Sequence, residues 1–253
     1  MRLFPIAWVT VRSQLGTLVG FLGITAVLLL LLALLPGFRL AVTVQAGYPP
    51  AVSRLLSLFA AFNALGVLLA IVLSSRTLPM ELRNRTTHLL FTRPVSRWRF
   101  ILEKWLGNVL VTLAGWALFL IAVTVTVVAM GAWEVLPRAW AASLVVALMM
   151  VTVSTLTTTL SLFLGGGLSL FVTGILCLIA VSSRGFVFYF DTTPHLLPLK
   201  WLCWALPPLP TLADLATRLL TGEPMLMTYV FGSLLYCYVA LLVLMISFYR
   251  REV

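Results

Sequence analysis

Charge is what this sequence has least of. Only 9% of its 253 residues are Asp, Glu, Lys or Arg, while 62% are hydrophobic. A soluble domain carries about 25% charged residues. This chain cannot cover a water-facing surface, and its composition is that of an integral membrane protein. Acidic residues are the scarcer sign, seven against seventeen Lys and Arg, for a net charge of +10. In a soluble protein that balance would suggest nucleic acid. Here, basic residues beside apolar runs set topology and meet anionic headgroups, and there is no soluble basic face for nucleic acid to use. Cysteine is sparse too: Cys177, Cys203 and Cys237 form no CxxC pair and are odd in number, which argues against a disulfide framework or a zinc site. There is no GxxxxGK[ST] phosphate loop. No Asp, Glu or His lies near the middle of an apolar run, which argues against a proton-driven carrier. No Ser, Asp and His share a depth, so the nucleophile and base of a membrane hydrolase are missing.

What is there is a series of apolar runs. A span needs about twenty apolar residues. Six stretches qualify: 17–35, 55–73, 105–130, 139–164, 168–183 and 227–249. They are closed in turn by Pro36-Gly37, Ser74-Ser75-Arg76, Gly131, Gly165-Gly166-Gly167, Arg184 and Arg250-Arg251. An even number puts both termini on one side. Lys and Arg then orient the chain: eleven fall on the side of the termini and the 76–104 segment, six on the other, and the sides net +8 and +2. By the positive-inside rule the termini are cytosolic. The expectation is a single all-α transmembrane domain over residues 1–253.

Two segments do not fit a bare count of spans. In MRLFPIAWVTVRSQLG, Leu3, Phe4, Ala7, Trp8 and Val11 recur at helical spacing, which predicts a short amphipathic helix on the inner membrane surface. Arg12 interrupts the apolar part and no small-residue cleavage site follows, so the segment does not read as a signal peptide. The connection 184–226 is external by the charge count, yet it carries Phe186, Phe188, Tyr189, Phe190, Trp201 and Trp204 among six prolines. That predicts short helices at the outer interface, over 199–206 and 211–220, with Gly222 capping the second. His195, Cys203, Met225 and Met227 offer soft ligands near it, but their spacing is too irregular to indicate copper(I).

The densest polar segment lies between the second and third runs. PMELRNRTTHLLFTRPVSRWRFILEKWLG, 79–107, holds most of a basic cluster formed by Arg76, Arg83, Arg85, Arg93, Arg97, Arg99 and Lys104. Pro79 suits the first turn of a helix, and Glu81 suits its dipole. Met80, Leu82, Leu89 and Leu90 supply an apolar face. Arg93-Pro94 ends the helix, and Ser96 is placed to cap a second one over 97–102 that leads into the third run. A topogenic loop needs only Arg and Lys. A short helix with a mixed face and a set turn suits docking into a groove on a cytosolic partner.

The pattern Glu81-x-Arg83, Thr86, Leu89-Leu90, Arg93-Pro94-Val95-Ser96-Arg97, Phe100, Lys104 and Gly107 resembles the cytoplasmic loop of ABC-2-type transporter permeases. A departure is Glu103, near where the family often has glycine. The resemblance implies a permease subunit of an ATP-binding-cassette transporter, an exporter of the cell inner membrane, acting as a homodimer or with a similar permease. It implies that the loop holds a coupling helix contacting a separate ATPase subunit, which alone binds ATP. On that basis the contact would be Glu81, Arg83, Arg85, Thr86, Leu89, Leu90, Arg93, Pro94, Val95 and Arg97. No catalytic residue, cofactor or metal is expected in this chain. The other reading of the same loop is a non-transporting membrane scaffold that docks a cytosolic protein through 79–107. Elsewhere, Thr152, Ser154, Thr155, Thr157, Thr158, Thr159 and Ser161 are expected to bond back to helix carbonyls rather than line a path. Gly16, Gly20 and Gly23 give one face of the first run small residues suited to close helix packing, within the subunit or across a dimer.

Overall fold

The computed structural model describes residues 5–34, 50–83, 96–192, 206–224 and 227–250. These form seven α-helices: α1 (Pro5–Leu34), α2 (Pro50–Arg83), α3 (Arg97–Ala129), α4 (Leu136–Leu164), α5 (Gly166–Thr192), α6 (Leu209–Thr221) and α7 (Met227–Arg250). A 3-10 turn, Trp133–Val135, joins α3 to α4. No strand occurs among the described residues, so the all-α expectation holds there. In hydrocarbon the helix is the local solution that satisfies every backbone group within its own segment.

Four helical stretches among the described residues are long and apolar enough to cross a membrane: Phe59–Pro79, Arg97–Ala129, Trp133–Leu164 and Met227–Arg250. The apolar part of α5, Gly166–Ser182, is shorter. The protein is therefore a multi-pass membrane protein. Apolar side chains are exposed on α7, at Phe231, Leu235, Tyr238 and Val239, and on α5, at Phe171 and Leu178.

Three helices run through positions expected to end or begin an element. α2 passes Ser74-Ser75-Arg76 without a break, and Pro79 lies inside it instead of starting a new helix. Proline's fixed φ is helical, and its missing N–H leaves the Ser75 carbonyl without its usual donor. The α5 backbone comes close to that carbonyl: a Cβ at Gly166 would lie 3.1 Å from it. Ser74 and Ser75 are fully buried, and Ser74 shares a 2.7 Å hydrogen bond with Ser154 of α4. α5 continues through Arg184 to Thr192 and takes Phe186, Phe188, Tyr189 and Phe190 out of the expected external connection. A single charge does not end a helix; the first strong breaker in the sequence is Pro194.

The third case is the amino-terminal segment. The expected separate interfacial helix does not form; residues 5–34 are one continuous helix. Its first half packs lengthwise on α3. Ile6 meets Glu103, Thr10 meets Gly107 and Leu18 meets Gly115, each pair 97 positions apart. A constant offset means two parallel helices in register for more than three turns. The buried stripe is Ala7, Thr10, Gln14 and Leu18, not the purely apolar set, and Trp8 of that set is 55% exposed. Hydrogen bonding decides this: Gln14 and the Ile6 N–H find partners on α2 and α3 that a membrane surface would not supply in place.

Contacts also give the helix directions. Trp105 bonds Thr155, Trp116 bonds Ser143 and Trp140 bonds Thr124, so α3 and α4 are antiparallel. Gly66 lies on Met150 and Ser74 on Ser154, so α2 and α4 are parallel. With Phe100 stacked on Phe248, Pro5, Arg83, Arg97 and Arg250 all lie at one end of the bundle. Gly165 makes the α4–α5 junction in one residue; its φ of +74° is a conformation that glycine adopts without strain. At the opposite end α6 lays Leu209, Leu212, Leu215, Ala216 and Leu220, all buried, against the bundle. The expected helix over 211–220 is thus present, and Gly222 caps it with a φ of +87°. The other expected short helix, 199–206, lies almost wholly outside the described residues.

Candidate functional site

The end that carries Arg83 and Arg97 also gathers the buried polar groups. Glu103, in the second turn of α3, has a side chain 3% exposed. It accepts the Ile6 N–H at 2.9 Å and the Arg99 Nε–H at 2.7 Å. The carboxylate therefore satisfies an orphan donor at the start of α1, where negative charge also suits the helix dipole. One turn on, α1 and α3 touch at Gly107. A Cβ there would lie 2.8 Å from Thr10 Cβ and 3.0 Å from the Ala7 carbonyl oxygen. The terminal glycine of the 81–107 pattern is a helix-crossing point. Lys104 is buried, with Nζ 6.0 Å from the centre of the Phe100 ring.

Deeper in, Gln14 Nε2 donates to the Leu73 carbonyl at 2.8 Å, to Thr77 Oγ1 at 2.6 Å and to Asn108 Oδ1 at 3.0 Å. Thr77 Oγ1 lies 2.9 Å from Asn108 Oδ1, and Asn108 Nδ2 donates to Thr158 Oγ1 at 3.3 Å. Four helices meet in this one network. Gln14 Oε1 is buried without a partner. Neither Gln14 nor Asn108 stood out in the sequence as a site. The only signal was a carboxamide at each of the two positions.

The hydroxyl run of α4 does what back-bonding predicts. Thr152, Thr155, Thr157, Thr158 and Thr159 each donate to the carbonyl four residues earlier, and Ser161 to the one three earlier. Gly16, Gly20 and Gly23 have nothing within 4 Å of a Cβ built on them, so their face packs on no described part of this chain. Among the described residues no three His, Cys, Asp or Glu come together. His88, His195, Cys203 and Met225 lie outside them. The Cys237 thiol donates to Thr152 at 3.2 Å.

Of the ten expected contact residues, the structure places three. Glu81 and Arg83 are in the last turn of α2, and Arg97 opens α3. Arg97 lines a shallow groove with Trp98, Ile101, Met245, Phe248 and Tyr249. Arg85, Thr86, Leu89, Leu90, Arg93, Pro94 and Val95 lie outside the described residues. Ser96 stands at the N-cap of α3, where its carbonyl accepts the Phe100 N–H at 3.1 Å but its hydroxyl makes no capping bond.

The membrane helices, the basic end and the inward-facing carboxamides are those of a helical membrane protein with a worked polar end. The family follows from comparison: residues 60–182 match the family model of the ABC-2 family transporter protein. That region belongs to the ABC-2 transporter family. It takes in α2 from residue 60 onward, α3, α4 and the apolar part of α5, and so contains the whole 81–107 pattern. Comparison with the curated proteins gives no match. The ABC-2 region supplies Thr77, Glu103, Gly107, Asn108 and Thr158; α1, which supplies Gln14, docks on it from outside.

Proposed function

We propose that the chain is the membrane-spanning permease subunit of an ABC exporter. It spans the cytoplasmic membrane six times with both termini in the cytosol. It forms the substrate path and couples it to ATP hydrolysis on a separate subunit, with a second permease copy or a similar permease completing the assembly. The contact with the ATPase is the connection between α2 and α3, with Glu81, Arg83, Arg85, Thr86, Leu89, Leu90, Arg93, Pro94, Val95 and Arg97 as its residues. One observation supports this most. The ABC-2 match encloses the connection, and the connection's two ends meet the bundle beside Glu103, Gly107 and Asn108, where α1, α2, α3 and α4 join. From Arg97 it is about three turns along α3 to Asn108, and from Arg83 under two turns along α2 to Thr77. The test is to coexpress the chain with the ATPase encoded beside it, change Glu81→Ala and Leu89→Asp, and measure copurification and ATP turnover. Both are expected to fall. If a Walker-motif ATPase fails to copurify with the unaltered chain, or both substitutions leave recruitment and turnover untouched, the reading is wrong.

A further inference from the structure

Two helix pairs, α1 with α3 and α2 with α4, meet along a seam whose two ends differ. α1 lies on α3 through the close approach at Gly107, the Glu103 bond and a fixed register. α2 lies on α4 through Gly66 against Met150 and Ser74 against Ser154. Between the pairs, on the Arg83–Arg97 side, the joins are hydrogen bonds between side chains: Gln14 to Thr77, Thr77 to Asn108, Asn108 to Thr158 and Trp105 to Thr155. Toward the other end the seam is closed by bulk. Phe62 stacks on Phe119 with centroids 5.1 Å apart, and the Trp116 indole donates to the Ser143 carbonyl at 2.7 Å.

This polar layer lies between two apolar clusters. The one on the far side is large, with 26 buried residues. The one on the Arg83–Arg97 side has six: Leu78, Phe100, Ile101, Leu162, Leu244 and Phe248. Parting the seam toward water exposes apolar surface in proportion to the cluster breached. The small cluster is the one that yields first. Behind it the layer is incompletely paired. The two Nε2 hydrogens of Gln14 face three acceptors, the single Thr77 proton has both Leu73 O at 3.1 Å and Asn108 Oδ1 at 2.9 Å to choose from, and Gln14 Oε1 has none. A buried network in that state is stabilised by an incoming donor, and water is the smallest.

We infer that this seam is an inner vestibule. Gln14, Thr77, Asn108, Thr155 and Thr158 form its polar wall, and Leu78, Phe100, Ile101, Leu162, Leu244 and Phe248 form the gate that shuts it from the Arg83–Arg97 side. The vestibule admits water and small polar groups when the α1–α3 pair parts from the α2–α4 pair. The inference deepens the proposed transport function, but its first test needs neither substrate nor ATPase.

That test is thiol accessibility. In a chain with Cys177, Cys203 and Cys237 replaced by serine, Asn108→Cys or Thr77→Cys is the reporter and Val123→Cys, in the large cluster, the control. A charged, membrane-impermeant thiol reagent is added to sealed vesicles of known orientation, from either face. The reporters are expected to react from the Arg83–Arg97 face only, faster than the control. Phe100→Ala or Leu162→Ala is expected to raise their rate by about tenfold or more, as loss of one gate side chain eases local opening. Reaction no faster than Val123→Cys, reaction from the opposite face, or indifference to both gate substitutions would overturn the vestibule. A second arm uses disulfides. Thr77→Cys with Asn108→Cys ties the two pairs together, whereas Ser74→Cys with Ser154→Cys ties one pair internally. With a copurified ATPase, only the first is expected to lower ATP turnover, by about fivefold or more, the low end of a site-to-site coupling, with recovery on reduction. Equal effects of the two disulfides would overturn the two-pair division. Gated labelling in a preparation that recruits no ATPase would leave the vestibule standing and remove the coupling reading.

Discussion

Placing a side chain at Gly107 should force α1 off α3, and the structure gives the size of the effect. A Cβ there falls 2.8 Å from Thr10 Cβ and 3.0 Å from both Thr10 Cγ2 and the Ala7 carbonyl oxygen. Carbon atoms pack at about 3.5–4.0 Å, so the shortfall is about 0.7 Å or more. Thr10 cannot turn away freely, because its hydroxyl bonds the Ile6 carbonyl at 3.0 Å. The Ala7 oxygen is backbone and cannot turn at all. The helices must separate, which weakens the Glu103 bond one turn away. Overpacking of this kind costs about 1–3 kcal/mol. In a soluble protein Gly→Ala would recover about 1 kcal/mol in helix propensity. In a bilayer the helices stay formed when packing is lost, so little of that is recovered. Gly107→Ala should therefore destabilise the chain by about 1–3 kcal/mol, and Gly107→Val should lie at or beyond the upper end. The measurement is equilibrium unfolding in mixed micelles, with hydrogen exchange of the 6–18 amides reporting α1 by itself. Gly16→Ala, at a position with open space around it, is the control. Equal stability of Gly107→Ala and Gly16→Ala, with α1 exchange unchanged in both, would refute the register-locked pair.

Other outcomes follow from named contacts. Glu103→Leu strands the Ile6 N–H that the carboxylate now accepts at 2.9 Å; a buried donor left unpaired costs about 1–3 kcal/mol, and exchange should rise at the start of α1 more than anywhere else. Glu103→Gln keeps an acceptor and should lose far less, because the Arg99 partner is 58% exposed and its pairing is screened. Gly222→Ala should destabilise α6 by about 1–2 kcal/mol, since its φ of +87° disfavours a Cβ and that Cβ would meet Arg138 Nη1 at 2.9 Å; loss of heat stability in detergent is the readout. Gly16→Leu and Gly20→Leu should leave the unfolding of the single chain unchanged, yet abolish a permease dimer if the second copy packs there, as native mass spectrometry would show.

How much of this was readable beforehand depended on the kind of signal. Long apolar runs showed through at once, and the helices at 139–164 and 227–249 lie within three residues of their expected ends. The first of them stops at a real breaker, Gly165, with a φ of +74°. The misplaced ends share one cause: neither a charge nor a serine pair stops a helix. Ser74, Ser75 and Arg76 do not break a helix, and when Ser154 waits on the facing helix two serines are as buried as leucines. Gly222 was correctly expected because a left-handed cap is a local property of the chain.

The polar layer could not be read in the same way, and the reason is physical. A lone carboxamide in an apolar helix has the same sequence signature whether it faces lipid, water or another helix. Only the offset between two helices decides, and that offset is set by Gly107. Had Gly107 been larger, α1 would sit farther from α3, and the 3.0 Å bond from Gln14 to Asn108 would be lost. The amphipathic pattern of Leu3, Phe4, Ala7, Trp8 and Val11 misled for the same cause. It weighs apolar residues alone, whereas a helix that binds its neighbour through hydrogen bonds turns its polar residues inward. In a membrane protein the informative residues are thus the few polar ones, and their meaning comes from the glycines that let two helices close around them.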